Sequence, residues 1–300
     1  MTVVGSLNMD LVTRAPRIPI PGETVIGGDL ETVPGGKGAN QAVAAARLGV
    51  QVSMVGHVGT DVFAQQLKEN LAADGIDQRF VTAVPGASGV ALIVVDNAGQ
   101  NSIVVAPGAN AALTPADVDA AAAAIQSAGV LLLQLETPPA TVQRAAQIAH
   151  DAGVTVILNP APAQPLPPKL LALVDILIPN ESETAALTGL PTGNQEQIEA
   201  AAAHLRQSGV GTVILTLGER GALLARPDET VLIPAFPVNR VVDTTAAGDA
   251  FVGGVATVIA EGKSLHEAIV TGNAAGALAV TKAGAQPSLP MRAEVLQKLS

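Results

Sequence analysis

Residues 130–158 read V-L-L-L-Q-L-E-T-P-P-A-T-V-Q-R-A-A-Q-I-A-H-D-A-G-V-T-V-I-L. Two short apolar runs, Val130–Leu135 and Val154–Leu158, flank the helical pattern of Pro138–Asp151. Apolar runs that do not alternate with polar residues are typical of strands buried on both faces of a parallel sheet. The stretch therefore predicts a strand, a helix and a second strand parallel to the first.

The same alternation continues on both sides of this stretch. Further strand-like runs are Val52–Gly56, Ile176–Ile178 and Val213–Leu217, and further helical stretches are Gly38–Leu48, Pro115–Ser127 and Gln195–Ser208. Strands that alternate with helices indicate an α/β fold with a doubly wound, mainly parallel sheet flanked by helices. No low-complexity linker divides the chain, so the sequence predicts a single domain over residues 1–300.

Two early segments break this rhythm. Residues 12–33 are rich in Pro and Gly and predict extended strands and turns, and residues 89–106 predict a hairpin with its turn at Asp96–Gly99. We interpret them as one small β-sheet lid formed by segments about 11–34 and 88–107. Its strands are apolar on both faces, which favours a homodimer through the lid; the alternative is that the lid folds back on its own domain.

The composition limits the possible functions. Hydrophobic residues make up 48% of the 300 residues but aromatic residues only 1%, so Ala, Val, Leu and Ile must build the core. The formal net charge is -10 and no Lys/Arg run occurs, which argues against a nucleic-acid partner. The absence of Cys excludes disulfides and thiolate metal sites. No membrane-length apolar run and no leader pattern is present, so we expect a cytoplasmic protein without membrane contact.

The strongest local motif is D-T-T-A-A-G-D at 243–249, where small residues precede a predicted helix over 250–261. Backbone N–H groups at a helix N-terminus stabilise negative charge. Asp249 beside them is suited to take a proton from a hydroxyl group while the N–H groups stabilise a transferring phosphoryl group. The alternative is that Asp249 only supplies negative charge to the first turn of its own helix.

A second Gly-rich segment, G-G-K-G-A-N at 35–40, leads into a helix. It has neither the spacing of a Walker A loop nor that of the G-x-G-x-x-G dinucleotide motif. Glycines here would let the backbone approach a small polar ligand, and the Asn40 amide offers both a donor and an acceptor. The alternative is that the glycines only form a turn.

Single acidic residues follow two of the predicted strands. Asp10 follows the first strand and Glu136 follows Val130–Leu135. Ligands of doubly wound sheets bind at the carboxyl ends of strands, and carboxylates accept hydrogen bonds from vicinal hydroxyl groups. The pair therefore suits a polyol, unless both are solvated loop acids.

Two later segments each allow two interpretations. Pro179–Glu183 offers Glu183 as a Mg²⁺ ligand through water, or Asn180 as a helix cap with acids in the first turn. Thr216–Gly221 predicts a Gly-rich turn between two strands, which either contacts a flat base or is only a hairpin. The four His residues lack ligand spacing and are not candidate catalysts.

The order of these motifs along the whole chain resembles that of the ribokinase-like (phosphofructokinase B-type) sugar kinases. The resemblance implies ATP-dependent phosphorylation of the 5-hydroxyl of D-ribose, giving ribose 5-phosphate and ADP. Asp249 would be the base, and Ala246, Ala247 and Gly248 would form an anion hole for the γ-phosphate. Asp249 would also contact the sugar, with the other sugar-binding residues being Asn8, Asp10, Gly36, Lys37, Gly38, Asn40 and Glu136.

The resemblance also implies a nucleotide site and two ion sites. ATP would contact Asn180, Gly248, Asn273 and the turn at 216–221, in particular Thr216, Gly218 and Gly221. Glu183 would help to order Mg²⁺ through water. An activating K⁺ would be held by Asp243, Thr245, Ala279, Lys282, Gly284 and Ser288, through backbone carbonyls at Ala279, Lys282 and Gly284. Asn273 departs from the His often found near the adenine pocket of this family.

Other functions stay open from the sequence alone. The acceptor could be deoxyribose, fructose or a nucleoside such as adenosine, although the lack of Tyr and Trp leaves little to stack a nucleobase. A non-catalytic sugar-binding protein and an NAD-dependent oxidoreductase are alternatives from other classes, because the architecture alone permits both.

Overall fold

A computed structural model describes all residues, 1–300. Thirteen strands alternate with helices along the chain. The strands are β1 Thr2–Val4, β2 Asn8–Arg14, β3 Leu30–Gly35, β4 Ser53–Val58, β5 Asp77–Ala83, β6 Gly89–Val95, β7 Asn101–Ala106, β8 Val130–Leu133, β9 Thr155–Leu158, β10 Ile176–Leu177, β11 Thr212–Thr216, β12 Ala222–Arg226 and β13 Glu229–Ile233.

The eleven α-helices are α1 Lys37–Arg47, α2 Val62–Ala73, α3 Pro115–Ala120, α4 Ala122–Gln126, α5 Pro139–Asp151, α6 Pro168–Leu171, α7 Glu181–Thr188, α8 Gln195–Gln207, α9 Ala247–Ala260, α10 Leu265–Ala279 and α11 Arg292–Leu299. Five of them, α2, α5, α6, α7 and α9, come directly after a strand of the larger sheet. None of the helices is long and apolar enough to cross a membrane.

The larger sheet has nine strands in the order β13-β12-β11-β10-β9-β8-β1-β4-β5. The seven strands from β11 to β5 run parallel, and β12 and β13 add an antiparallel edge. Because the order grows outward from β1 in both directions, the sheet is doubly wound. The predicted mixed α/β architecture is confirmed.

Two hydrophobic cores lie on opposite faces of this sheet. Successive residues of a strand point to opposite faces, and β8 shows this directly: Leu132 belongs to one core, and Leu131 and Leu133 belong to the other. Residues of α1, α9 and α10 cover the first face, and residues of α5 and α8 cover the second. All four β8 residues are fully buried, which explains the unbroken apolar run in the sequence.

A separate four-stranded sheet has the order β3-β2-β6-β7. Strands β2 and β6 pair in parallel, and β3 and β7 pair antiparallel to them at the two edges. The predicted small sheet is therefore present, and its second half is the predicted hairpin. Every residue of β7 is exposed.

Two details differ from the sequence-based expectations. Asp10 lies inside β2 and not in a loop after the first strand, because the chain crosses from the large sheet to the small one over residues 5–7. The helix expected over 115–127 is two short helices, α3 and α4, separated at Ala121. Ala121 has φ −94° and ψ 4°, outside the helical region, and its side chain is fully buried between the two helices and the sheet.

Candidate active site

The predicted sugar-binding residues lie where the two sheets meet. Asn8 and Asp10 are on β2, Gly36–Asn40 begin α1, and Glu136 follows β8. Asp249 comes from the first turn of α9. Parallel strands end at a common edge, so these segments from distant parts of the chain are brought to one place.

The start of α1 packs tightly against the crossing between β1 and β2. A Cβ atom on Gly36 would lie 2.7 Å from the backbone nitrogen of Asn8, and one on Gly38 would lie 2.5 Å from that of Ser6. Gly36 also has φ +89°, a conformation that side chains strain. The glycines are thus required by neighbouring backbone, whereas the sequence had suggested space for a ligand.

Glu136 is held by groups from both neighbouring segments. The Ser6 hydroxyl donates to Glu136 Oε2 at 2.5 Å, and the Lys37 backbone N–H donates to the same oxygen at 3.1 Å. The Ser6 hydroxyl in turn accepts from the Gly38 N–H at 3.2 Å. Ser6 was missed by the sequence analysis, because a single serine between two strands carries no local signal.

Asn8 is oriented by a side chain that follows the small sheet. The Asn110 amide donates to Asn8 Oδ1 at 2.7 Å and to the Leu7 carbonyl at 3.1 Å, and its own oxygen accepts from the Leu7 N–H at 2.9 Å. Asn110 is 1% exposed. These bonds fix the point at which β2 leaves the domain, and with it the position of Asn8 and Asp10.

The Asp249 carboxylate is 7% exposed and is bound by two consecutive side chains of α1. Asn40 Nδ2 donates to Oδ2 and Gln41 Nε2 donates to Oδ1, each at 2.9 Å. Asp249 lies in the first turn of α9, as expected if it only supplied negative charge to its own helix. Its oxygens nevertheless bond to another helix, so a helix-capping role does not account for its position.

Burial and acidic neighbours perturb Asp10. Burial, as the largest cause, and the negative charges of Glu136 and Asp249 together raise the pKa of Asp10 to about 7, while Lys37 opposes the shift. A carboxyl group with this pKa changes its charge near neutral pH. Such perturbed groups cluster at functional sites.

Lys37 is the cation of the site. Burial lowers the pKa of Lys37, but the surrounding carboxylates outweigh burial and the net pKa is raised. The side chain is therefore charged at neutral pH. The carboxylates that act on it, in order of effect, are Asp249, Glu136, Glu183 and Asp10.

The N-terminus of α9 is open above its first turn. Ala246 is the one non-glycine residue with positive φ, at 59°. A Cβ atom built on Gly248 would contact nothing within 4 Å. A strained residue next to an uncovered helix N-terminus is the arrangement expected where backbone N–H groups receive an anion.

The predicted nucleotide-binding residues fall into two groups. Asn180 and Thr216 are neighbours joined by a β-bridge, and Gly218 has open space where a Cβ would be. Gly221 is required by packing, because a Cβ atom there would lie 2.1 Å from the Ile233 carbonyl oxygen. The Asn273 amide is buried and donates to the Ile233 and Pro234 carbonyls at 3.1 and 3.0 Å.

Glu183 takes part in the cap of α7. Asn180 accepts from the Glu183 N–H at 2.8 Å, and Glu183 accepts from the Asn180 N–H at 2.9 Å. The capping alternative is therefore observed. Burial raises the pKa of Glu183, while its bond to Asn180 lowers it. No three His, Cys, Asp or Glu side chains are grouped to hold a metal ion.

The predicted K⁺ ligands partly converge on Asp243. Its Oδ1 accepts from the Thr245 backbone N–H at 2.9 Å and hydroxyl at 2.7 Å, and its Oδ2 accepts from the Gly284 N–H at 2.9 Å. Ala279 and Lys282 are joined by a backbone hydrogen bond of 3.1 Å, and Ser288 is fully buried nearby in the chain. The Lys282 side chain donates to Glu294 Oε1 at 2.7 Å, and the predicted K⁺ ligand at this position is its backbone carbonyl.

Three buried amides behind Asp249 were also missed. Gln41, Gln134 and Asn159 are linked to one another by hydrogen bonds and are at most 9% exposed. The signal was present in the sequence: Gln134 interrupts the apolar run Val130–Leu135, and a buried polar residue in such a run needs a partner.

Comparisons with known proteins identify the class. The sequence model of the pfkB family carbohydrate kinases matches residues 1–292. A ribokinase from Haemophilus influenzae is 45% identical, covering 100% of this chain and 98% of the relative. A deoxyribokinase from Salmonella typhimurium is 40% identical, covering 97% and 95%. The structure of Arabidopsis thaliana ribokinase complexed with ribose and ATP has a TM-score of 0.92 at 37% identity, covering 100% and 98%.

The doubly wound sheet with its small second sheet and the match to the pfkB model over residues 1–292 together identify the class as a carbohydrate kinase. The chain belongs to the pfkB family of carbohydrate kinases.

Asp10→Asn should stabilise the ligand-free protein in a pH-dependent manner. The pKa of Asp10 rises from 3.8 to about 7 on folding, so the folded chain binds the proton more tightly and the free energy of unfolding falls as pH rises through that window. An Asn side chain does not ionise, so its burial carries no cost that depends on pH. Relative to wild type, the variant should gain about 2 kcal/mol between pH 5 and pH 8 in urea unfolding.

The matched control is Asp228→Asn, whose side chain is 74% exposed, so that any effect of removing a surface carboxylate is measured separately. An Asp10→Asn difference that is equal at both pH values would contradict the shifted pKa of Asp10.

Proposed function

We propose that this kinase transfers the γ-phosphoryl group of ATP to the 5-hydroxyl of D-ribose, giving ribose 5-phosphate and ADP. The observation that carries the proposal is the buried Asp249 carboxylate, which lies in the first turn of α9 and bonds to Asn40 of the polyol site. One group thus borders both the hydroxyl acceptor and the anion-binding helix N-terminus.

The acceptor site is suited to a sugar with several hydroxyl groups. The carboxylates of Asp10 and Glu136 can accept hydroxyl donors, and Asn8 and Lys37 can donate. Asn40 Oδ1 is buried and has no hydrogen-bond partner in the protein. An unpartnered buried acceptor is costly, so a hydroxyl group of the sugar is its expected partner.

Phosphoryl transfer then needs positioning and charge stabilisation. Asp249 takes the proton of the 5-hydroxyl as that oxygen forms a bond to the γ-phosphorus. The bond from the γ-phosphorus to the bridging oxygen breaks, and ADP leaves with the electron pair. The N–H groups of the anion hole, at Ala246, Ala247 and Gly248, stabilise the charge on the transferring group.

The nucleotide would lie along Asn180, Thr216, Gly218 and Gly221, with Asn273 near the base. Magnesium bound with the nucleotide would neutralise charge on its phosphates. Glu183 is next to the Asn180 cap and is suited to accept from water molecules of that ion. An ATP-consuming reaction also agrees with the expected cytoplasmic location.

A second candidate is phosphorylation of 2-deoxyribose, because a deoxyribokinase resembles this chain about as closely as several ribokinases do. Fructose and adenosine are the remaining acceptors. A coupled ATP-consumption assay with these four acceptors separates the candidates. Turnover with deoxyribose alone would move the substrate assignment and keep the mechanism.

Asp249→Asn should lower turnover by about two to four orders of magnitude, because the amide cannot accept the hydroxyl proton. Ribose binding should be largely kept, since the amide preserves the shape of the side chain. Turnover is measured by coupled ADP release and binding by calorimetry. Near-normal turnover would remove Asp249 from the base role.

We also propose that K⁺ activates the enzyme. The observation behind this is the junction of Asp243, Thr245 and Gly284, which holds the loop before the anion hole against the segment after α10. Carboxylate and carbonyl oxygens are suitable ligands for a monovalent cation. The ion would stabilise the backbone that leads into α9.

Turnover should therefore be higher in KCl than in NaCl at equal ionic strength, and Asp243→Ala should remove most of this difference. Asp228→Ala, at an exposed acid outside the site, is the control and should keep the response. An unchanged K⁺ response in Asp243→Ala would rule out this cation site.

The small sheet is proposed to act as a lid and as a dimer interface. It leaves large apolar side chains in solvent: Leu92 is 50% exposed and Val104, its cross-strand neighbour, is 62% exposed. Apolar patches of this kind mark association sites. A second copy of the chain is the proposed partner.

Val104→Glu should shift the protein from dimer to monomer in sedimentation velocity, because a charge would be buried in the interface. Val62→Glu is the matched control, since Val62 is 83% exposed and lies on α2 outside the small sheet. A Val104→Glu protein that stays dimeric would exclude this face as the interface.

A further inference from the structure

A chain of buried amides ends on the Asp249 carboxylate. Gln134 Nε2 donates to Gln41 Oε1 at 2.6 Å. Gln41 Nε2 donates to Asp249 Oδ1 at 2.9 Å and to Asn159 Oδ1 at 3.0 Å. Gln41 and Gln134 are fully buried. Gln41 thus uses both of its amide hydrogens and its carbonyl oxygen inside the protein.

A backbone carbonyl fixes the direction of this chain. Asn159 Nδ2 donates to the Ile178 carbonyl at 2.9 Å, and a carbonyl can only accept. The oxygen of Asn159 must therefore face Gln41, and the NH₂ group of Gln41 must donate to it. The same nitrogen faces Asp249, so a flipped Gln41 amide would set oxygen against oxygen at two places.

Close packing of two helices brings Gln41 to Asp249. A Cβ atom on Gly253 would lie 2.5 Å from the Ala44 Cβ and 3.2 Å from the Gln41 carbonyl oxygen, so α1 and α9 meet at van der Waals distance. Gly253 is four residues after Asp249, one helical turn along the same face. A larger residue at this crossing would separate the donor from the carboxylate.

We propose that Gln41 is a positioning residue that selects which oxygen of Asp249 acts as the base. Gln134 and Asn159 hold the Gln41 amide, so its N–H stays on Oδ1 on the inner side of the carboxylate. The Asn40 amide on Oδ2 is not held in this way, because its oxygen has no partner in the protein. The proton of the sugar hydroxyl is therefore received by Oδ2. The inference rests on the proposed base role of Asp249.

The second oxygen of the carboxylate, Oδ2, faces the amide of Asn40. Asn40 Nδ2 donates to Oδ2, while Asn40 Oδ1 has no partner. A hydroxyl group entering between them can donate to Oδ2 and accept from Nδ2. Asn40 therefore contacts the substrate, whereas Gln41 is held by protein on every side. The two adjacent amides have different tasks.

The test is a double-mutant cycle on kcat for D-ribose. Gln41→Met keeps the length of the side chain and removes the hydrogen bonds. It should lower kcat by about 10- to 100-fold, the loss expected for a hydrogen bond to a charged group, and leave KM for ribose nearly unchanged. In the Asp249→Asn background the same change should have less than about a twofold effect, because Gln41 acts only through Asp249.

Thr257→Val is the matched control. Thr257 is buried on α9, and its hydroxyl donates to the Gly253 carbonyl at 2.8 Å, away from the amides. It should keep kcat although it also loses a buried hydrogen bond. Gln134→Met should lower kcat less than Gln41→Met does, and only when Asp249 is present. If Gln41→Met does not fold, Gln134→Met tests whether the buried amides act through Asp249.

Four results would overturn the proposal. A loss in Gln41→Met that persists in the Asp249→Asn background would indicate a general structural effect. A raised KM with unchanged kcat would make Gln41 a determinant of sugar binding. If Asp249→Asn loses turnover but Gln41→Met and Gln134→Met do not, the positioning role of Gln41 is wrong and the base role of Asp249 stands. Near-normal turnover in Asp249→Asn would contradict both roles.

Discussion

The crowding of four carboxylates around Lys37 is the constraint on which the rest of the site depends. Burial and like charges raise the pKa of Asp10 to about 7, so the ligand-free site holds unfavourable electrostatic energy. Hydroxyl groups of a polyol can lower that energy by donating hydrogen bonds to the carboxylates. An anionic phosphoryl donor, in contrast, is repelled by their negative charge. In the proposed reaction the phosphates would therefore have to rely on backbone N–H groups and cations. The open start of α9 and the Asp243 junction are the proposed places for these contacts.

Small residues make this arrangement possible. The chain contains no Tyr or Trp, and its helices are rich in Ala, so they approach the sheet and each other closely. The contact between Ala44 and Gly253 brings consecutive amides of α1 onto both oxygens of one carboxylate. Each buried amide then needs a hydrogen-bond partner of its own, and Gln41 finds these partners in Gln134 and Asn159. The polar network is thus a consequence of helix packing as much as of chemistry.

The small sheet is connected to the large domain through the site itself. The Asn110 amide clamps the crossing into β2, and Ser88, just before β6, bonds to Asp61 at the start of α2 through its N–H and its hydroxyl. Asn8 and Asp10 belong to the first of these connections. A displacement of the small sheet would therefore move Asn8 and Asp10 of the proposed acceptor site, which is the coupling that a closing lid requires.

Apolar periodicity and turn residues act over a few positions, and they were enough to predict the α/β class, the strand–helix alternation and a small second sheet. The local motifs also predicted a helix just after Asp249 and suggested a polyol-binding site at strand ends. The position of Asp10 within β2 and the separation of two helices at Ala121 became apparent only in the folded chain. Only the tertiary structure showed that Gln41 binds a carboxylate 208 residues away. Hydrogen bonds between distant segments leave no local pattern, because their geometry exists only after the helices have packed.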